Sequence, residues 1–305
     1  MDVFDWRQVQ PGLLALFVLA LAGCGTLAER SDPGMTQYER EAMAWRERRQ
    51  ARLTEPYGWL SLVGLEPLND GEWHIGTAPD NDLVVTSGPG HWGAMTVAGN
   101  RVWFDADPDA DVRVDGERIE SVEIRADGPS GPTLVAAGTV QLQLLDRGGQ
   151  PVLRIRDSQA PTRVRFGGLD YFPFNADWRI EARWTPHPEG RTLVIANVLG
   201  ELINEPNPGA AEFGFDGKTY GLEAVASGDQ LFFILADRTS GRESYGLGRF
   251  LYSNLPQDGR VILDFNRAYN PPCAFTEYST CPLPPPENRL DVRVEAGELA
   301  YGGQK

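Results

Sequence analysis

From residue 57 onward, short runs rich in β-branched, aromatic and aliphatic residues alternate with clusters of Gly, Pro and Asp-Gly. "VRVDGERI" turns on Asp115-Gly116 and "AEFGFDGKTYGL" on Asp216-Gly217. Asp-Gly tolerates the positive φ angles that a two-residue hairpin turn demands. In "VQLQLLD" and "WRIEARW" apolar and polar residues alternate. Successive strand side chains point to opposite faces, so these strands have one core face and one wet face. Short strands separated by turn signals every ~8–12 residues fit antiparallel sandwiches or barrels, and not βαβ units.

One stretch reads as a substantial helix. Thr36-Gln37-Tyr38-Glu39 is a capping box, and Tyr38, Ala42, Trp45 and Leu53 form one stripe. Glu39 and Glu41 sit early, whereas Arg46, Arg48, Arg49 and Arg52 sit late, which suits the helix dipole. Pro56 and Gly58 end the pattern. The arginine cluster reads as a solvated helix face. "RDSQAPTRVRFGGLD" (156–170) breaks the strand rhythm and marks a boundary. The expected fold class is mainly β. A helix over 36–56 precedes a β-sandwich over 57–157, and an antiparallel β-sandwich or barrel follows over 168–305.

The N-terminus speaks to location. Leu13 to Ala22 is an apolar run of ten, the length of a signal-peptide core rather than of a membrane span. It ends in "LAGC", which resembles the lipobox of bacterial lipoproteins. The resemblance implies a signal peptide over 1–23, acylation of Cys24 (palmitate among the chains) and a tether over 24–35. Gly25, which is not Asp, implies the outer membrane, facing the periplasm. The implied partner is the membrane, reached through lipid on Cys24.

A formal charge of −15 argues against nucleic acid, whose phosphates call for Lys and Arg. The remaining cysteines, Cys273 and Cys281, form a disulfide in an oxidising compartment, or stand as two free thiols in a pocket. The histidines are His74, His91 and His187, so no metal site and no cofactor is expected. "GRESYG" places Ser244 one residue too far from Gly241 for a nucleophile elbow.

Polar residues concentrate near the C-terminus. "LDFNRAYNPPCAFTEYSTCPLPPPENRL" (263–290) holds six prolines, and its proline-rich loop spans 270–288. If "VILDFN" is a strand, Asp264 and Asn266 share one face while Val261, Leu263 and Phe265 enter the core. Two readings stand side by side: a rigid structural cover, or the preorganised wall of a small-molecule pocket. The pocket would be lined by Tyr245, Arg249, Asp264, Asn266, Tyr269 and Asn270. In an enzyme, a hydrolase for instance, Asp264 would act as acid or base and Arg249 would hold an anionic or carbonyl group. In a binding protein the same residues would hold a ligand or partner.

Two family resemblances follow. "WHIGTAPDNDLVV", "GPGHWGAMTVAGNRVWF", "VRVDGERI" and "GTVQLQLL" resemble the forkhead-associated sandwich. That family reads phosphothreonine with an Arg after Ile-Gly and a Ser before the His. Here Thr77 and Gly88-Pro89-Gly90 occupy those places, ahead of His91, so the resemblance implies the fold without phosphopeptide binding. "EPYGWLSLVGLEPL", "FGGLDYFPFNADWRI", "RTSGRESYGLGRFLY" and the proline-rich segment resemble the domain-of-unknown-function 1684 family, from about residue 40 to the end. That resemblance implies no established activity.

Overall fold

A computed structural model describes residues 34–128 and 130–303. The signal-peptide and Cys24 expectations lie outside the described residues.

Helix α1 spans Gln37–Leu53. Its capping box forms as the sequence predicts: the Thr36 hydroxyl accepts from the Glu39 amide at 3.2 Å, and the Glu39 carboxylate accepts from the Thr36 amide at 2.6 Å. Such caps satisfy amides that the first helical turn leaves unpaired. Ala42 and Leu53 are buried, but so is Arg49 at 4% exposure. The arginine cluster is therefore not uniformly solvated.

The first β region comprises two sheets around one core. The six-stranded sheet runs, in spatial order, Leu62–Pro67, Gln150–Asp157, Val140–Arg147, Leu134–Ala137, Arg113–Val114 and Glu117–Arg118. The five-stranded sheet runs Leu83–Val84, Gly71–Gly76, Gly93–Ala98, Arg101–Ala106 and Ser121–Ile124. Ile75, Trp92, Met95 and Phe104 pack in the same cluster as Val140, Leu142, Leu153 and Ile155. Each such side chain contributes about 1.5–3 kcal/mol on burial. The alternation in "VQLQLL" and "VLRIRD" produces this packing. Its other phase, Gln141, Gln143, Arg154 and Arg156, lies on the outward face, with Gln141 opposite Arg156 and Gln143 opposite Arg154.

The second β region has a four-stranded sheet (Lys218–Glu223, Gly209–Phe215, Arg179–Pro186, Arg260–Asp264) and a three-stranded sheet (Val225–Ser227, Gln230–Leu235, Arg249–Asn254). A separate hairpin pairs Thr192–Ala196 with Leu202–Pro206. Trp178, Phe213, Phe233, Leu251, Leu263 and Phe265 form the core between the sheets. Asp115, Asp216 and Asp258 take φ of 52°, 48° and 49°, each followed by a glycine at positive φ. These are the tight turns the Asp-Gly pairs predict, and Asp258-Gly259 adds a third.

Two expectations are corrected. No sheet closes into a barrel, because each ends in open edge strands. The first region does not make a clear forkhead-associated sandwich: the phosphate-binding arginine position is Thr77, which instead hydrogen-bonds the Pro89 carbonyl through both its amide and its hydroxyl.

Candidate functional site

A broad cleft of about 1570 Å³ is lined by α1, the outward face of the six-stranded sheet and the second β region. Two of the six sequence-predicted site residues, Asp264 and Tyr269, line it.

Asp264 ends the Arg260–Asp264 strand. It accepts a 2.6 Å hydrogen bond from the Tyr38 hydroxyl, and Arg267 Nε lies 3.0 Å from its other oxygen. The chain then enters a 3-10 turn, Phe265–Arg267, so the strand ends two residues before Asn266. Even so, Asn266 stays close: its amide nitrogen donates to the Tyr38 hydroxyl at 3.0 Å and to the Asn175 carbonyl at 2.8 Å. Burial, followed by the hydrogen bond to Asp264, raises the Tyr38 pKa well above the ordinary phenol value. Tyr38 thus remains a neutral donor that holds Asp264 and Asn266 together.

Tyr269 is gripped by backbone pairing with Phe250, at 2.8 and 2.9 Å. Its ring meets Trp45, Trp59 and Tyr252 and lies 4.6 Å beneath the Arg49 guanidinium. Arg49 also faces the Trp59 ring at 4.9 Å, donates to Glu298 at 2.9 Å and donates to the Asn270 carbonyl at 3.0 Å. A cation over aromatic faces, closed by a carboxylate, is a stable way to bury a guanidinium. Burial also pushes the Tyr269 hydroxyl well up, and raises Tyr252 to about 12.

The other candidates sit elsewhere. Arg249 is fully buried, ion-paired with Asp237 at 2.6 Å and bonded to the carbonyls of Val294, Ala296 and Glu298. Asn270 donates its backbone amide to the Glu298 carboxylate at 2.8 Å and its side chain to the Leu299 carbonyl at 2.7 Å. Tyr245 donates to the Cys273 carbonyl at 3.1 Å. Cys273 and Cys281 are joined in a disulfide, with Cα atoms 6.1 Å apart. Asn288 anchors the exit of the loop: its side chain accepts from the Glu223 amide at 2.7 Å and donates to the carbonyls of Glu223 and Ile234 at 2.9 and 3.0 Å. Among the described residues, no group of three or more His, Cys, Asp or Glu is placed to hold a metal ion. No described helix is long and apolar enough to cross a membrane.

The sequence model of the family described as "Protein of unknown function (DUF1684)" matches residues 164–299. The solution NMR structure of an uncharacterized protein from gene locus rrnAC0354 of Haloarcula marismortui is 32% identical, covering 46% of this chain and 80% of that one, with a TM-score of 0.39. The chain belongs to the DUF1684 family. No curated protein matches it.

The matched span is shorter than the resemblance from about residue 40 implied; "EPYGWLSLVGLEPL" falls outside it. The cleft is therefore composite. Its Asp264, Arg267 and Tyr269 wall lies within the family match, while α1 and the Gln150–Asp157 strand lie outside it.

Sequence reasoning missed Tyr38 as the partner of Asp264, and Arg49, Arg154 and Arg156 as cleft residues. A signal existed for the last two, since arginines two apart on a wet strand face project together. Glu298, the partner of Arg49, carries no local signal at all, because the two are 249 positions apart.

Proposed function

We propose that this DUF1684 protein is a ligand-binding protein of the bacterial envelope, held at the outer membrane by lipid on Cys24, with the cleft as its site. The observation that carries this reading is the division of labour among the polar residues. Asp264 and Tyr269 face the cleft with Arg49, Arg179 and Arg267, while Arg249 and Asn270 spend their hydrogen-bonding capacity on the scaffold behind it. A concave surface with a few convergent polar groups and aromatic walls is the usual form of a small-molecule site.

A hydrolase using Asp264 with Arg249 is the weaker reading. Arg249 is closed off by Asp237 and three main-chain carbonyls, which leaves Asp264 as the one member of that pair at the cleft.

Native mass spectrometry of the full-length chain extracted from its own membranes tests the binding reading. A co-purifying small molecule, retained by the parent and lost in Asp264→Ala, is the expected result. A ligand retained equally by both chains would remove Asp264 from the site. Mass analysis of the N-terminal peptide tests the anchor: a diacylglyceryl adduct on Cys24 is expected, and an unmodified, uncleaved peptide would overturn it.

A further inference from the structure

The charges that line the cleft nearly cancel. Eight arginines stand beside seven carboxylates, and neither lysine nor histidine is among the described lining residues. Several of these charges are already matched to one another. Arg267 lies 3.0 Å from Asp264, Arg147 lies 3.4 Å from Asp127, and Arg260 lies 3.8 Å from Glu181. A concavity that selects an ion by its field needs one sign in excess. Here an ionic ligand would compete with pairs already made.

The lining suits an acyl chain no better. Its larger aliphatic members are Leu53, Leu255, Val261 and Ile262. Flat polar side chains dominate instead. Guanidinium, carboxylate and carboxamide groups each hold two or more hydrogen-bonding atoms in one plane. On the outward face of the six-stranded sheet they form an array, Gln141 opposite Arg156 and Gln143 opposite Arg154, and all four line the cleft. Opposed residues lie about 4.5–5.5 Å apart across such strands, and successive pairs ~7 Å apart along them. The side chains of Gln141, Gln230 and Gln257, which all line the cleft, make no hydrogen bond among the described residues.

Aromatic rings complete the lining. Trp45, Trp59 and Tyr252 are partly buried around Tyr269. The Tyr252 and Tyr269 rings are parallel within 9°, and those of Trp59 and Tyr269 within 27°. An aromatic face is electronegative and attracts the C–H groups of an apolar surface laid on it.

We infer that the cleft takes an uncharged oligosaccharide. The inference rests on the cleft reading above and specifies its ligand class. A sugar ring has C–H faces and a rim of hydroxyls. Each hydroxyl both donates and accepts. Hydroxyls can therefore donate to the carboxylates and carboxamide oxygens and accept from the guanidiniums and carboxamide nitrogens without breaking the ion pairs. Neighbouring hydroxyls match the planar forks two at a time. The volume of about 1570 Å³ exceeds the ~300–1,000 Å³ of ordinary small-molecule sites, which leaves room for several sugar units.

A glycan array probed with the full-length protein, in a detergent without a sugar headgroup, tests the inference. The array carries neutral oligosaccharides of three or more units beside sulfated and uronic-acid members. Binding to at least one neutral oligosaccharide is expected, with charged members bound no more tightly. Isothermal titration with the best neutral member should change less than twofold between 50 and 500 mM salt, whereas an ionic contact is screened over that range. Trp59→Ala should weaken it about tenfold or more and Trp59→Phe only partly. Gln141→Ala should weaken it several-fold at an unchanged melting temperature, which keeps the test open should Trp59→Ala fail to fold. Arg113→Gln, a surface change on the same sandwich, should bind like the parent. Binding confined to charged glycans, or lost at high salt, overturns the neutral class. Binding unchanged in both alanine variants overturns the cleft as the sugar site. No glycan bound overturns the saccharide class, and the co-purified molecule then decides the cleft reading separately.

Discussion

The polar residues behind the proline-rich loop and those on the cleft wall are both buried, yet their bonding differs. Arg249 is matched by Asp237 and three carbonyls, and Asn288 fills three hydrogen bonds to two strands. Arg154 and Arg156 lie two residues apart on a strand face that lines the cleft, where the Gln143 side-chain oxygen accepts from Arg154 at 3.4 Å. Nearly closed sets of partners make scaffold, because most of the buried groups recover the hydrogen bonds they lose to water, Arg249 Nε and Asn270 Oδ1 excepted. The loop is thus a rigid brace for the cleft rather than the whole of its lining.

The sharpest way to break this comparison is at Arg249. Replacing it with Met strands the Asp237 carboxylate in the core and should cost about 3–5 kcal/mol in urea denaturation. Adding Asp237→Leu should recover much of that loss. A mild effect of Arg249→Met alone would place Arg249 with the cleft arginines rather than with the scaffold.

Next in size is the disulfide. Cysteine-to-serine changes at Cys273 and Cys281 should cost about 2–3 kcal/mol, the chain-entropy value for so short a loop. The cleft should keep its ligand affinity if Tyr269, held by Phe250, stays in place. Loss of binding at intact stability would make the loop part of the site.

Asn288→Ala leaves two buried carbonyls and one amide unmatched and should cost about 1–3 kcal/mol. A smaller loss would mean that water replaces the side chain.

The smallest effect is a pH dependence. Tyr252 ionises near 12 in the folded chain against about 10 when unfolded. Between these values the folded state holds more protons. Its contribution to stability is therefore complete below pH ~10 and lost as pH rises through about 12. Tyr38 and Tyr269 act in the same direction. Tyr252→Phe should flatten this alkaline fall; an unchanged slope would show that the ring hydroxyl is solvated.

Much of the architecture was legible because its signals are local. The α1 capping box needs residues three apart, the hairpins need adjacent Asp and Gly, and the sheet faces need period-two alternation. Val261 and Leu263 are buried as that alternation predicts, whereas Phe265 is buried from the 3-10 turn that follows the strand. The site was only half legible. Asp264 and Tyr269 could be suspected from polar density, but the same density surrounds Arg249 and Asn270, which look inward. Arg49 was misread as a solvated residue because its position in α1 says nothing of Glu298.

By itself the sequence determined the mainly β class, the capped helix, the tight turns and the proline-rich segment that holds Cys273 and Cys281. Tertiary structure alone decided which arginines became scaffold and which became wall. The reason is range: side-chain periodicity reports which way a residue points, whereas the partner it meets, Glu298 for Arg49 or Asp237 for Arg249, is set by how distant elements pack.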